Sequence, residues 1–237
     1  MPHINYPVRI NKYLALKNYC SRREADRFIE KRLVKINGRI AALGDKVFAN
    51  DKVEVSPALE SRAKNLVYVA YNKPLGIVTH SPEEGQKSIR DILKIGVSVF
   101  PVGRLDKNSH GLIILTNDGR LTDKLLNPLY GREKEYIVKM DKDINSRFSK
   151  RICSGIDIEG YKTKKCAVEE INERTFKIAL TEGKKHQIRR MCAALGYVVA
   201  DLERVRVMNI ELGKLRAGQH RRIVGSELEI FLKSLGL

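Results

Sequence analysis

From residue 66 onward the chain is a succession of short β-prone segments, interrupted by helical stretches too few to alternate with them. The segments are "LVYVAYNKPLGIVTH", in which Pro74 and Gly76 mark a turn, then "SVFPVG", "GLIILT", "KEYIVKM", "KKCAVEEI", "RTFKIALT" and "YVVADLERVRVMNI". Helices are expected at Gly119–Leu126, Ser146–Cys153, Lys184–Leu195 and Glu227–Leu235, with Ser226 and Glu229 as a capping box for the last. Parallel neighbours need a crossover, usually a helix, and that rhythm is missing here. The pattern predicts an α+β fold built on a mostly antiparallel mixed sheet.

The first 65 residues read as a separate, smaller unit. Ile10, Tyr13 and Leu14 keep helical spacing. "SRREADRFIEKRL" opens with Ser21 and places Glu24 three residues on, a capping box that starts a second helix. Its apolar face is Ala25, Phe28 and Ile29, which leaves Arg22, Arg23, Arg27 and Lys31 towards solvent. "LVKINGRI" sets two β-prone runs around Asn37-Gly38, a two-residue hairpin signal, and "GDKVFANDKVEV" adds further short strands. "SPALESRAKN" has weak periodicity and reads as a connection. The expected division is residues 1–56, a linker at 57–65, and a larger domain at 66–237.

Charge narrows the function. Lys and Arg number 45 against 28 Asp and Glu, a formal net charge of +17. Residues 1–65 hold 14 basic and 7 acidic side chains, so the small unit is the more basic per residue. Such an excess favours polyanions, nucleic acid ahead of anionic membrane. No apolar run approaches the roughly 20 residues of a spanning helix. "MPHINYPVRI" lacks the apolar core and cleavage site of a secretory signal, so no membrane partner is expected. Cys20, Cys153, Cys166 and Cys192 stand far apart without C-x-x-C spacing, which suits reduced thiols in a cytoplasmic protein and indicates no metal site.

Two stretches carry candidate chemistry. In "FPVGRLDKNSHGLIILTNDGRL", Asp106 sits at the lip of an apolar strand, either as a turn-former or as a reactive carboxylate. "EGKKHQIRRMCAALG" reads as a helix ended by Gly196, with Ile188, Met191, Cys192 and Leu195 facing the core. Arg190 then faces solvent, while Arg189 lies at the border, able to reach inward to a carboxylate. "EEGQKS" misses phosphate-loop spacing, and "GRLDKNSHGL" echoes a kinase catalytic loop without its Gly-rich partner.

"RINKYLALKNYCSRREADRFIEKRLVKINGRI" resembles the S4 RNA-binding domain, which presents two helices to structured RNA. "NKPLG", "GRLD", "KEYIV", "GKKHQIRRM" and "LERVRVMNI", in this order and spacing, resemble the successive motifs of RNA pseudouridine synthases. With an S4 domain in front, the chain looks like the ribosomal RNA branch named for the small-subunit synthase A. "GRLDKNSHGLIILTNDG" and "TKKCAV" look most like members acting on the large subunit. The resemblance covers roughly residues 8 to 237 and implies structured 23S rRNA, or a large-subunit precursor, as partner.

The resemblance also implies roles. Asp106 would be the catalytic aspartate, kept ionised in a dry pocket by pairing with Arg189. Tyr136 would stack on the target base and could accept its C5 proton. Arg104 would enter the RNA helix where that base has left, and Ile188 would wall the pocket. Leu202 and Arg204 match the last motif, and Lys73 and Gly103 join the substrate contacts. Arg9, Lys12, Arg22, Arg23, Arg27, Lys31, Arg39, Lys185 and Arg190 would meet RNA. Uridine becomes its C-glycoside isomer with nothing oxidised and nothing lost, so no cofactor or metal is expected. His80, His110 and His186 look like general bases but fit RNA contacts or structural roles better. The rivals are a synthase acting on tRNA or 16S rRNA, and a non-catalytic S4-type assembly factor. A monomer is the default.

Overall fold

The structure, a computed structural model, describes residues 4–17, 19–57, 59–60 and 65–237. Near the N-terminus, β1 (Val8–Arg9), α1 (Ile10–Leu16) and α2 (Arg22–Glu30) precede β2 (Val34–Ile36), β3 (Arg39–Ile40), β4 (Lys46–Val47) and β5 (Val53–Val55). They enclose their own core of Val8, Ile10, Leu14, Ala25, Ile29, Val34, Ile36, Ala41 and Val47. The α2 capping box forms as expected: Glu24 N donates to Ser21 Oγ at 3.3 Å, and Ser21 N to Glu24 Oε2 at 3.0 Å. Asn37 and Gly38 take positive φ angles of 51° and 81°, and Ile36 pairs with Arg39 across them. Both angles suit a two-residue hairpin turn. Of the expected linker at 57–65, Ala58 and Ser61, Arg62, Ala63 and Lys64 lie outside the described residues.

The remainder forms a nine-stranded sheet. Its strands are β6 (Tyr68–Lys73), β7 (Phe100–Val102), β8 (His110–Thr116), β9 (Lys134–Met140), β12 (Ala167–Asn172), β13 (Thr175–Leu180), β14 (Val199–Val207), β15 (Ile210–Glu211) and β16 (His220–Arg222). A separate hairpin pairs β10 (Asp157–Ile158) with β11 (Tyr161–Lys162). The order is β12-β13-β9-β14-β8-β6-β16, with β15 on β14 and β7 on β8. Every pairing in it is antiparallel except β14 with β8, so the sheet is mixed and mostly antiparallel as expected.

That one parallel join holds the two halves of the sheet together. It rests on Glu203 opposite His110 and Arg204 opposite Gly111. A Cβ on Gly111 would stand 2.4 Å from the Arg204 carbonyl oxygen and 2.8 Å from its nitrogen, so only glycine allows this approach. Arg204 Nε donates to the Leu112 carbonyl at 2.6 Å, and His110 Nε2 lies 2.9 Å from Asp201 Oδ1.

The helices are α3 (Ile89–Ile92), α4 (Arg120–Leu126), α5 (Phe148–Cys153), α6 (Gln187–Ala194) and α7 (Gly225–Leu235). Two expectations change. Helix α7 begins at Gly225 with Val224 as its N-cap, which puts Ser226 inside the first turn and leaves the expected capping box unformed. Helix α6 begins at Gln187 rather than Lys184, because His186 takes φ 52°. Among the described residues no helix is long and apolar enough to cross a membrane. Cys153, Cys166 and Cys192 are free thiols.

Candidate active site

Asp106 lies in the connection from β7 to β8, and its neighbours are held by their backbones. Leu105 is clamped by Thr79, whose hydroxyl accepts from Leu105 N at 2.9 Å and donates to its carbonyl at 2.7 Å. Lys107 accepts from Gly76 N at 2.9 Å, and the Asp106 carbonyl accepts from Ser109 N at 3.1 Å. Gly103, at φ 82°, bends the chain into this loop. With the backbone so engaged, the Asp106 carboxylate is free to project from a rigid mount. Of the clamp residues, the sequence marks Gly76 only as part of a turn and gives Thr79 no role. Thr79 is 26 residues from Leu105, and only its placement in "NKPLGIVT" hinted at a role.

Arg189 reaches the same loop, but by another atom than expected. Its Nη2 donates to the Asn108 carbonyl at 2.5 Å and its Nη1 to the Val199 carbonyl at 2.8 Å. The side chain facing Asp106 is instead His186, with Nε2 at 3.5 Å from Oδ1. The guanidinium is consumed by two backbone oxygens, so it secures the loop two residues from the acid. The dry pocket is also corrected: the Asp106 side chain keeps 36% of its exposure, so the protein alone does not enclose it.

Tyr136, on β9, is half-buried between two packed groups. One contains Leu105, Tyr71 and Ile113; the other contains Ile188, Met191 and Leu202. It stands opposite Arg204 of β14 in the sheet register. Ile188 and Leu202 are buried in the second of these groups. Arg104 is exposed two residues before the acid.

Three charged residues assigned to substrate or RNA do something else. Lys73 is fully buried, and its ammonium donates to the carbonyls of Pro74 and Ile77 at 2.9 and 2.6 Å. Arg204 is 4% exposed and spent on Leu112. Neither can touch substrate directly; both brace the backbone under the site. Arg190 is half-buried and donates to the Ile158 carbonyl at 3.0 Å and to Glu159 at 2.6 Å, which ties α6 to the β10–β11 hairpin. The other RNA candidates, Arg9, Lys12, Arg22, Arg23, Arg27, Lys31, Arg39 and Lys185, are all exposed. Arg39 is shared with Asp45 at 2.8 Å.

The buried cations shape the local field. Burial pushes Lys73 down to about 8, helped by Arg204 and opposed by Asp106. Lys134 is lowered to about 8 by burial and by Arg204. His80 is pushed down by burial, then by Arg104 and by Arg23 of α2, so the positive field of the small domain reaches the mouth of the site. Ser109 and Gln187 are buried within the same framework, and Gln187 donates to Glu182 at 2.7 Å. The two hollows around Asn209 contain none of the site residues. Among the described residues no group of three or more His, Cys, Asp or Glu could hold a metal ion.

The family model described as RNA pseudouridylate synthase matches residues 67–194, and the S4 domain model matches residues 8–53. The chain is 46% identical over 223 residues to the dual-specificity RNA pseudouridine synthase RluF of Salmonella typhi, covering 93% of this chain and 77% of that protein. It is 45% identical to the same enzyme of Escherichia coli K12, with the same coverage. Ribosomal large subunit pseudouridine synthase B of Bacillus subtilis is 32% identical, covering 93% of this chain and 94% of that one. A crystal structure of a pseudouridylate synthase superposes with a TM-score of 0.69 at 26% identity, over 94% of this chain and 98% of that one.

Proposed function

The chain belongs to the RNA pseudouridylate synthase family, and on that premise we propose that it converts uridine to pseudouridine in 23S rRNA, with Asp106 as its reactive carboxylate. The observation that carries this reading is the mount of that side chain. Thr79, Gly76 and Arg189 hold Leu105, Lys107 and Asn108 by their carbonyls, and the acid between them is the group left to react.

A base within a stacked helix is out of reach, so the uridine must swing out at a cost of about a few kcal/mol. Tyr136 offers it an aromatic face, worth about 1–3 kcal/mol. Exposed Arg104 stands ready to occupy the gap. The uracil then covers the Asp106 carboxylate, which the protein leaves open. The carboxylate attacks C1′ or removes a sugar proton, and either route breaks the N1–C1′ bond. The uracil then turns and C5 bonds to C1′ as the carboxylate leaves or returns its proton, after which C5 loses its proton and N1 gains one. His186, 3.5 Å away, supports the charged form whenever it is protonated. The exposed cations of α2 hold structured RNA through phosphate and shape contacts. The protein would act as a monomer in the cytoplasm, where ribosomal RNA is made.

A specific observation favours a second substrate. The relatives from Salmonella typhi and Escherichia coli K12 are described as dual-specificity enzymes. The proposal is therefore tested by mapping pseudouridines in total RNA from a deletion strain. Loss of a 23S position supports it, with or without a tRNA position. Loss confined to tRNA or 16S rRNA rejects the large-subunit assignment.

A further inference from the structure

The rim of the site continues from Gly103 into a segment given no role so far. A Cβ on Gly103 would stand 3.0 Å from Leu126 Cδ2, so the end of α4 lies directly against the residue before Arg104. Beyond α4 the chain makes a single turn of 3-10 helix, Pro128–Tyr130, and enters β9, where Tyr136 follows six residues after Tyr130. Six residues reach at most about 20 Å, the span of a few nucleotides.

The turn is firmly built. Asn127 N donates to the Asp123 carbonyl at 3.0 Å, and Asn127 Oδ1 accepts from Leu129 N at 3.1 Å. Gly131, at φ 56° and ψ 37°, redirects the chain, and Arg132 Nε donates back to the Lys124 carbonyl at 3.3 Å. On this mount Leu129 is 89% exposed and Tyr130 41% exposed. The Tyr130 ring centroid lies 5.3 Å from Lys124 Nζ and 5.5 Å from Arg132 Cζ. A lone exposed leucine needs no explanation. A leucine beside an exposed tyrosine, held rigidly and flanked by two cations at the rim of an RNA-modifying site, calls for a partner that is both flat and anionic.

We infer that Leu129 and Tyr130 form a platform for a base neighbouring the target uridine, with Lys124 and Arg132 meeting its phosphates. The inference rests on the RNA-modifying reading above. Aromatic and apolar side chains stack on any base or wedge between base steps, and adjacent cations neutralise the backbone. Once the target has swung out, the stack beside it is broken. A base exposed there gains a surface only if the enzyme supplies one.

The test is steady-state kinetics of the full chain on in vitro-transcribed 23S rRNA, comparing wild type with a Leu129→Ser, Tyr130→Ser double variant. Loss of a stacking surface raises KM by about ten-fold and leaves kcat at saturation and Tm near wild type. Leu129→Phe, with a larger apolar face, keeps or lowers KM. An unchanged KM in the double variant overturns the inference and leaves the patch to a partner such as another protein. A lowered Tm with lowered kcat also overturns it, because the turn would then be structural. Wild type without activity on 23S rRNA or tRNA would instead remove the parent reading, and this one with it.

Discussion

Arg189 donates from α6 to the carbonyl of Asn108 at 2.5 Å, two residues beyond Asp106, and so fastens the reactive loop to the β14 half of the sheet. Its second amino group holds Val199 at 2.8 Å. Arg189→Lys does not reproduce this pair of contacts, because its compact ammonium lacks the planar fork that spreads two amino groups towards separate oxygens. A shift of the loop by about 1 Å lowers the rate roughly 100-fold. Single-turnover kinetics should show that loss with rRNA affinity unchanged. Equal losses of affinity and rate would mean that Arg189 touches RNA.

His186 faces Asp106 at 3.5 Å, with about half of its side chain exposed. Partly solvated pairs contribute about 0.2–1 kcal/mol. His186→Gln should therefore slow the reaction by less than about 5-fold, far less than removal of the acid. A loss of 1,000-fold would make His186 a proton-transfer group instead.

Gly111 lets β14 approach β8, with the Arg204 backbone 2.4 and 2.8 Å from the place of a Cβ and φ at 100°. Gly111→Ala combines a backbone clash with a strained φ, each costing about 1–3 kcal/mol. Urea unfolding should show a loss of at least about 2 kcal/mol. A stable variant would show that the two halves of the sheet do not depend on this contact.

Lys73 and Lys134 are both lowered to about 8 by burial. Above that pH the unfolded chain binds more protons than the folded one, so stability rises with pH. Burial raises Cys166 to about 11 and Cys192 to about 12. Above about 9 the unfolded thiols lose protons that the folded ones keep, which opposes the lysines. Urea midpoints should rise from about pH 8 to 9 and then level off, with a weaker rise in Lys73→Met. A steady fall from pH 7 contradicts the buried-lysine account.

These predictions follow the parts of the molecule that local chemistry does and does not reveal. The Ser21–Glu24 box and the Asn37-Gly38 turn were legible because each is a contract among three or four consecutive residues. The strand segments were legible because their apolar runs are short and bounded. The partner of Arg189 was not, since helical spacing places a residue on a face without saying which oxygen waits across it. Lys73 and Arg204 read as substrate contacts because they fall within the motifs that carry the resemblance. Here carbonyls brought together by the fold accept both of them. Ser226 misled because Gly225, at φ 58°, starts the helix two residues earlier than expected.

Exposed Arg22, Arg23 and Arg27 of α2 are the expected phosphate contacts of the small domain. Changing all three to Ala in an Asp106→Asn background should weaken 23S rRNA binding and reduce the slope of log affinity against log salt by about two. Filter binding between about 50 and 200 mM salt reads both. An unchanged slope places the RNA on another face.

Formation of pseudouridine replaces the C5 hydrogen of uracil by the bond to C1′, so 23S rRNA labelled with tritium at C5 releases its label to water once per event. The decisive measurement is that release for wild type and Asp106→Asn, at protein concentrations where both bind the RNA equally. Release by wild type and none above background by the variant is the predicted result; release by both at the same rate would remove Asp106 from the chemistry.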